Sequence, residues 1–303
     1  MRELILDRVT KRYGTFTAVD QVSMSAQSGR ILGVLGPNGA GKTTSIRMIT
    51  HITAPDEGTI TLEGKPVGSW AQRRLGYLPE ERGLYKKMTV FDQLIYFAQL
   101  KGLDKRTAST RVNHWLDRFE ISDWKQKKAG ELSKGMQQKI QFIGTIIHEP
   151  DLVVLDEPFS GLDPINADLL LSVILELRSD NRIILFASHR MEQVEELCDD
   201  IALIAKGKIR IAGAVGSVKQ QFASNYVRIR YRGSNTALQE LASAGKITLA
   251  VDNDGYAEFE VAEASSFAPL AAHIASAVDD LFLFERSTPP LRDIFKHVVA
   301  EAA

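Results

Sequence analysis

Gly36-Pro37-Asn38-Gly39-Ala40-Gly41-Lys42-Thr43-Thr44 constrains this chain more than any other stretch. It follows an apolar run, Ile31 to Leu35, that reads as a buried strand, and it leads into Ser45 to Ile49, which reads as the first turns of a helix. Glycines at 36, 39 and 41 let the backbone curl so that successive N–H groups point inward, and the helix N-terminus adds a partial positive charge. That combination predicts a phosphate-binding loop, residues 36–44, for a nucleoside triphosphate. Lys42 reaches the β and γ phosphates. The Thr43 hydroxyl is the expected Mg²⁺ ligand, because Mg²⁺ takes oxygen donors and is commonly shared between one or two protein groups and the nucleotide.

A second stretch supplies the complementary chemistry. Leu152 to Leu155 is an apolar strand ending in Asp156-Glu157. A strand buried on both faces exposes acids only at its carboxyl end, where ligands of open α/β sheets bind. Asp156 is placed to hold Mg²⁺ directly or through water, and Glu157 to polarise a water beside the γ phosphate. Alone, such an acidic pair also fits a solvated loop or a helix cap; after a phosphate loop in the same chain it reads as active-site chemistry.

Between and around these motifs the chain follows α/β grammar. Residues 3–35 form short apolar or alternating segments with turns at Tyr13-Gly14 and Ser28-Gly29, and residues 58–64 a strand between glycines. From Val90 to about Glu120 the spacing turns helical, with Phe91, Leu94, Ile95 and Ala98, then Val112, Trp115, Leu116 and Phe119. A helix after Leu132, the strand ending at Asp156, a helix from Pro164 to Arg178 and a strand from Ile183 to Ala187 complete a mostly parallel sheet. Beyond about Phe222 the order is strand 226–232, helix 235–243, strands 246–251 and 256–261, helix 266–277, strand 281–285 and a helix from Leu291. That βαββαβ order predicts a small ferredoxin-like domain over 223–303.

Leu132-Ser133-Lys134-Gly135-Met136-Gln137-Gln138 precedes an apolar-periodic helix with Ser133 as its N-cap. By itself it fits an ordinary capped helix. Together with the phosphate loop, Leu155-Asp156-Glu157-Pro158, Ser160-Gly161-Leu162-Asp163 and Ala187-Ser188-His189, all in that order, residues 2–222 resemble the ATP-binding cassette (ABC) family, whose signature reads LSGGQ at this point. The resemblance implies an α/β P-loop NTPase over 1–222, with a mostly parallel sheet core, an antiparallel β subdomain and a helical subdomain at about 81–150. It further implies ATP and Mg²⁺ as cofactors, Tyr13 against adenine, His189 as the switch histidine near the γ phosphate, and Asp163 beside the nucleotide. Ser133 and Gly135 would cap the γ phosphate held by the opposite subunit of a homodimer or heterodimer.

Three positions depart from the family pattern. Glu80, in Tyr77-Leu78-Pro79-Glu80, stands where the family has a glutamine touching Mg²⁺ and the attacking water; a carboxylate can still ligate Mg²⁺ but adds charge beside phosphates. Lys134 replaces the first signature glycine and Met136 the glutamine. GYLPEERGLY, LSKGMQQK and the tail Thr288 to Phe295 resemble the branch that serves separately encoded membrane subunits in sodium, drug or antibiotic export. An integral membrane permease is thus the implied partner, with its coupling helix in a groove around residues 80–100. Leu84, Tyr85 and Met88 offer apolar contact there, though they suit the core of the helical subdomain equally well.

Composition removes other classes. Lys+Arg 37 against Asp+Glu 38 gives a net charge of -1, so no bulk basic field argues for nucleic acid. The start, MRELILDRVT, lacks a signal-peptide apolar core, and no apolar run approaches the ~20 residues that cross a bilayer. Cys198 is alone, which suits a reducing cytosol, and the resemblance implies a peripheral position on the inner face of the membrane. Ribosome- or DNA-acting cassette ATPases carry two cassettes or long coiled coils that this chain lacks, and the intact Glu157 argues against a non-hydrolysing ATP sensor. His51, His114, His148, His273 and His297 stand in no such motif.

Overall fold

The computed structural model describes residues 2–81, 83–262 and 267–301; Arg82 of GYLPEERGLY, Ser266 at the start of the expected helix 266–277, and residues 302–303 lie outside the described residues. The chain begins with two long antiparallel strands, β1 (Glu3–Tyr13) and β2 (Phe16–Gln27), joined by a tight turn at Gly14-Thr15. Leu4 and Leu6 on β1, and Val22, Met24 and Ala26 on β2, alternate with exposed residues, as in a sheet covered on one face. The next strand, β3 (Ile31–Leu35), enters a different sheet and feeds helix α1 (Lys42–Ile49). β4 (Glu57–Leu62) and β5 (Lys65–Pro66) then complete the antiparallel sheet in the order β2-β1-β4-β5.

β6 (Leu75–Leu78) is followed by three helices, α2 (Val90–Leu100), α3 (Lys105–Arg118) and α4 (Lys134–Ile146). Their starts are written locally: Thr89, Asp104 and Ser133 each accept a hydrogen bond from the first turn of the helix that follows. The stripes read from spacing are the buried faces, with Leu94, Ile95 and Ala98 on α2 and Val112 and Leu116 on α3. β7 (Leu152–Asp156), α5 (Pro164–Ser179), β8 (Ile183–Ala187), α6 (Met191–Leu197), β9 (Asp200–Ala205) and β10 (Lys208–Ala214) close this unit. The six-stranded sheet runs β10-β9-β3-β8-β7-β6, and β9, β3, β8, β7 and β6 pair in parallel. β3, β7 and β8 are buried at every residue, which explains their unbroken apolar sequences.

One core joins the two sheets. Ile46, Met48 and Ile49 of α1 pack with Leu4, Leu6 and Val22 on one side and with Leu32, Val34, Val154 and Leu185 on the other. α1 is therefore clamped between sheets, and the loop that precedes it is fixed by both. On the far edge, Gly76 of β6 lets α4 approach closely: a Cβ there would lie 2.3 Å from the Thr145 carbonyl.

A second compact unit starts at Ala214 rather than after Phe222, because α7 (Val215–Gln221) groups with it. It contains β11 (Tyr226–Arg232), α8 (Thr236–Ser243), β12 (Ile247–Asn253), β13 (Tyr256–Val261), α9 (Phe267–Ala277), β14 (Asp280–Arg286) and α10 (Leu291–Glu301). The sheet order β12-β13-β11-β14, antiparallel throughout, is the ferredoxin-like arrangement. Its core has Val227 and Ile229 from β11, Phe259 from β13, Leu238 from α8 and Ile274 from α9. Among the described residues no helix is long and apolar enough to cross a membrane.

His148, just past α4, is buried and donates Nε2–H to the Leu75 carbonyl at 3.1 Å. Burial, then the nearby Lys101 ammonium, pushes its pKa down to about 4. The unfolded chain therefore binds the proton first as pH falls, so the stability that neutral His148 supplies above pH ~6.5 is lost toward pH 4, about 2 kcal/mol of it by pH 5. Urea titrations at pH 7.5 and 5 are expected to show this loss in the wild type and not in His148→Gln, which keeps a donor for Leu75. Parallel losses in both proteins would place the titrating group elsewhere.

Candidate nucleotide site

The loop between β3 and α1 closes on itself around Lys42. The ammonium donates to the carbonyls of Gly36 at 2.6 Å and Pro37 at 3.0 Å. Gly36 has φ 152, and a Cβ on it would lie 2.2 Å from the Ile204 carbonyl of β9, so the loop passes where only glycine fits. Beyond it, residues 38–44 line a cleft of about 510 Å³.

The same cleft collects residues from distant parts of the chain. Tyr13 enters from the β1–β2 hairpin, Glu80 from the loop after β6, Asp156 and Glu157 from the end of β7, and His189 from the end of β8. β3, β8 and β7 are adjacent and parallel, so their carboxyl ends share one edge; that is why motifs far apart in sequence meet. Of the residues read from the sequence, Tyr13, Asn38, Gly39, Ala40, Gly41, Lys42, Thr43, Thr44, Glu80, Asp156, Glu157 and His189 line this cleft. Gly36 and Pro37 contribute their carbonyls to Lys42 just behind it. Ser133, Gly135 and Asp163 are not among the lining residues. Ser133 caps α4 by accepting from the Met136 N–H at 3.3 Å, and Asp163 caps α5 by accepting from the Asn166 N–H at 3.0 Å.

Glu157 adopts φ 50, a conformation costly for a residue with a Cβ, and its N–H donates to the Ala187 carbonyl at 2.9 Å. This bend turns its carboxylate toward the end of β8. There Oε1 accepts the His189 backbone N–H and pairs with His189 Nδ1, both at 2.7 Å, while Oε2 accepts the Ser188 hydroxyl at 3.1 Å. Glu157 and His189 are thus joined within the chain itself.

The charges are unbalanced. Asp156 is 7% exposed, and burial, then Glu80 and Glu157, push its pKa up to about 6, with Lys42 alone opposing. Lys42 is itself shifted down by burial, against the pull of the same three carboxylates. The donors are all hard oxygens: the Thr43 hydroxyl and the carboxylates of Asp156 and Glu80. No ready-made cage of three His, Cys, Asp or Glu side chains is found among the described residues. A cation whose coordination is completed by phosphate oxygens fits this set, and it would relieve the crowding of acids.

Three contributors were not read from the sequence. Phe16 pairs with Tyr13 across the hairpin, is 62% exposed and lines the cleft beside it. Gln138 donates to the Pro158 carbonyl at 2.9 Å, and Gln141 donates to the carbonyls of Pro79 and Glu81 at 3.3 Å each. Helix α4 thus holds both acid-bearing loops. The only sequence signal for the glutamines was two amides on an otherwise apolar helix face.

The ABC transporter family model matches residues 19–160. The ABC transporter ATP-binding protein YhaQ of Bacillus subtilis (strain 168) is 42% identical over 301 residues, covering 96% of this chain and 97% of that one. The chain belongs to the ABC transporter family. It is an ATP-binding and ATP-hydrolysing subunit. Nod factor export ATP-binding protein I of Burkholderia lata is 34% identical over 244 residues, covering 79% of this chain and 80% of its own. A solved ATP-binding subunit of an ABC transporter superposes with a TM-score of 0.69 at 27% identity, covering 72% of this chain and 92% of that one.

Lys42 supports no apolar packing, so Lys42→Ala is expected to leave the melting temperature within a few degrees while abolishing tight ATP binding by calorimetry. Unchanged affinity would remove Lys42 from the phosphate site.

Proposed function

We propose that this ABC subunit drives an exporter: two copies, or this chain and a second ABC ATPase, close on Mg·ATP and move a separate integral membrane permease from its cytoplasmic side. The observation that best supports the hydrolytic step is the Glu157 carboxylate, held at the cleft by Ser188 and His189. In this reading Lys42 and the loop N–H groups bind the β and γ phosphates, and the exposed ring of Tyr13, with Phe16 beside it, offers a face for adenine. Thr43 and Asp156 would hold Mg²⁺, with Glu80 as a further oxygen. Bound there, the ion would neutralise charge developing on the phosphates. Glu157 orients the attacking water and accepts its proton; His189 steadies the carboxylate and faces the γ phosphate. Ser133 and Gly135, outside their own chain's cleft, would donate to the nucleotide of the other subunit, with Asp163 near the same boundary.

Export as the direction is supported by the name of the Burkholderia relative, and a membrane partner by the family itself. The partner surface is supported by a groove of about 320 Å³ whose lining includes Ile52, Pro79, Leu84, Phe97 and Leu100. Tyr85 stands next to it, 51% exposed, its ring against Tyr96 and Phe97. Leu84 and Met88 are half-buried, so the apolar contact expected of this segment falls chiefly to Tyr85 and the groove wall.

Two substitutions test the two halves. Glu157→Gln keeps size and hydrogen bonding but loses basicity, so turnover is expected to fall by ~10²- to 10⁴-fold while ATP binding persists and closed dimers accumulate in gel filtration. Near wild-type turnover would pass the role to another group, Glu80 first. Tyr85→Asp is expected to release the membrane partner in detergent pull-downs and to spare ATP binding. A retained complex would move the docking surface elsewhere.

A further inference from the structure

Some basic side chains of this chain are neutralised where they stand, and others are not. Arg2, Arg30, Arg74, Arg111 and Arg178 each lie against a carboxylate. Lys86, Lys87, Lys127, Lys128 and Lys134 are exposed, and none of them has an ion pair among the described residues. Four of these five stand on two segments that the backbone ties together. The Val90 N–H donates to the Lys127 carbonyl at 2.9 Å, the Ala129 N–H to Met88 at 3.0 Å and the Gly130 N–H to Lys86 at 3.0 Å, with a bridge between Thr89 and Lys128. The neighbouring acids are exposed as well but outnumbered. Glu131 accepts the Lys128 N–H and Asp92 the Thr89 hydroxyl; with Asp123 they make three carboxylates against the five ammonium groups of Lys86, Lys87, Lys125, Lys127 and Lys128 on the two segments.

In a chain of net charge -1, this grouping is a local positive field on an otherwise neutral surface. Charges held on facing segments within a Debye length of about 8 Å add their effects on an extended anionic surface, whereas isolated lysines are screened. The patch continues directly into Tyr85, and Tyr96 and Leu100 are exposed near that ring, 39% and 62% respectively. Long ammonium side chains beside exposed aromatic and aliphatic groups suit the headgroup boundary of a bilayer.

We propose that Lys86, Lys87, Lys127 and Lys128 dock this subunit on anionic lipid headgroups beside its membrane partner. The proposal rests on the reading of the Tyr85 groove as the partner surface, and it assigns to lipid a contact that the partner protein does not supply.

The test uses the full chain and sedimentation with vesicles of phosphatidylcholine alone or with one-third phosphatidylglycerol. Wild type is expected to bind the anionic vesicles, to ignore the neutral ones, and to come off with added salt. Each lysine near such a surface is worth about five-fold in partitioning, so Lys127→Glu/Lys128→Glu is expected to weaken binding at least ~25-fold. A control pair with the same change in net charge, Lys105→Glu/Arg106→Glu on exposed positions at the start of α3, is expected to bind almost as wild type does. ATP affinity and melting temperature are expected to stay unchanged in both. No binding by wild type, equal binding to neutral vesicles, or equal losses in both variants would overturn the proposal. Loss of the permease in detergent by the patch variant, with no vesicle binding by wild type, would instead assign the lysines to an acidic protein face. The underlying partner reading fails separately, if wild type co-purifies with no integral membrane protein at all.

Discussion

Three carboxylates and one ammonium meet at the end of a parallel sheet, and much of this molecule serves that imbalance. Burial and the neighbouring acids hold Asp156 near pH 6, and only Lys42 stands against them. Bare triphosphate brought to such a site would add repulsion from every acid that faces it. In the proposed reading the nucleotide arrives as its Mg²⁺ complex, which would offset that repulsion. The proteins of this family ordinarily place a neutral amide where Glu80 stands. In the proposed reading the Glu80 carboxylate adds to that repulsion and offers the ion one more oxygen.

Helix α4 gives the site its mechanical frame. Through Gln141 it holds the loop of Glu80, and through Gln138 the loop that follows Glu157. Close contact at Gly76 seats the same helix on β6, and Gln141, Gly144 and Thr145 also line the groove beside Leu84 and Phe97. Groove, helix and acid loops are thus contiguous packed matter. In the proposed reading, a push on the groove or a nucleotide at the Ser133 end of α4 is transmitted by one rigid element to both carboxylate loops. That rests on adjacency, with no second conformation needed to see the path.

What could be read from sequence was local. The phosphate loop, the apolar strand ending in acids, the capped helices and the βαββαβ order of the second unit each lie within a short window, and each was visible there. β6 was not: four residues with a glycine among them carry no periodicity, and the strand exists because Leu75 to Leu78 find Leu152 to Leu155 as partners. Glu157 and Ser188 are bonded 31 residues apart, so neither position alone announces the contact. Gln138 and Gln141 sat in plain view, but an amide reads as polar until the carbonyl it must satisfy is known. Phe16 escaped for the opposite reason, since an aromatic in a strand reads as core until the hairpin turns it outward.

The hold on Glu157 has a consequence for how the acid can work. With Oε1 engaged twice by His189 and Oε2 once by Ser188, three of the four lone-pair sites of the carboxylate are taken and one on Oε2 stays open. In the proposed reading a water is received at that open site, or at a second one if His189 turns away. His189 is the partner with room to turn, since its side chain is 75% exposed whereas Ser188 is 1% exposed and also accepts the Arg190 N–H. If the imidazole turns to the γ phosphate, Oε1 is freed of one bond and can accept from the water, while Ser188 keeps Oε2 in place. The carboxylate keeps its aim when the imidazole turns, because the Ser188 hydroxyl and the His189 backbone N–H still hold it and the bond to Ala187 fixes the backbone that carries it.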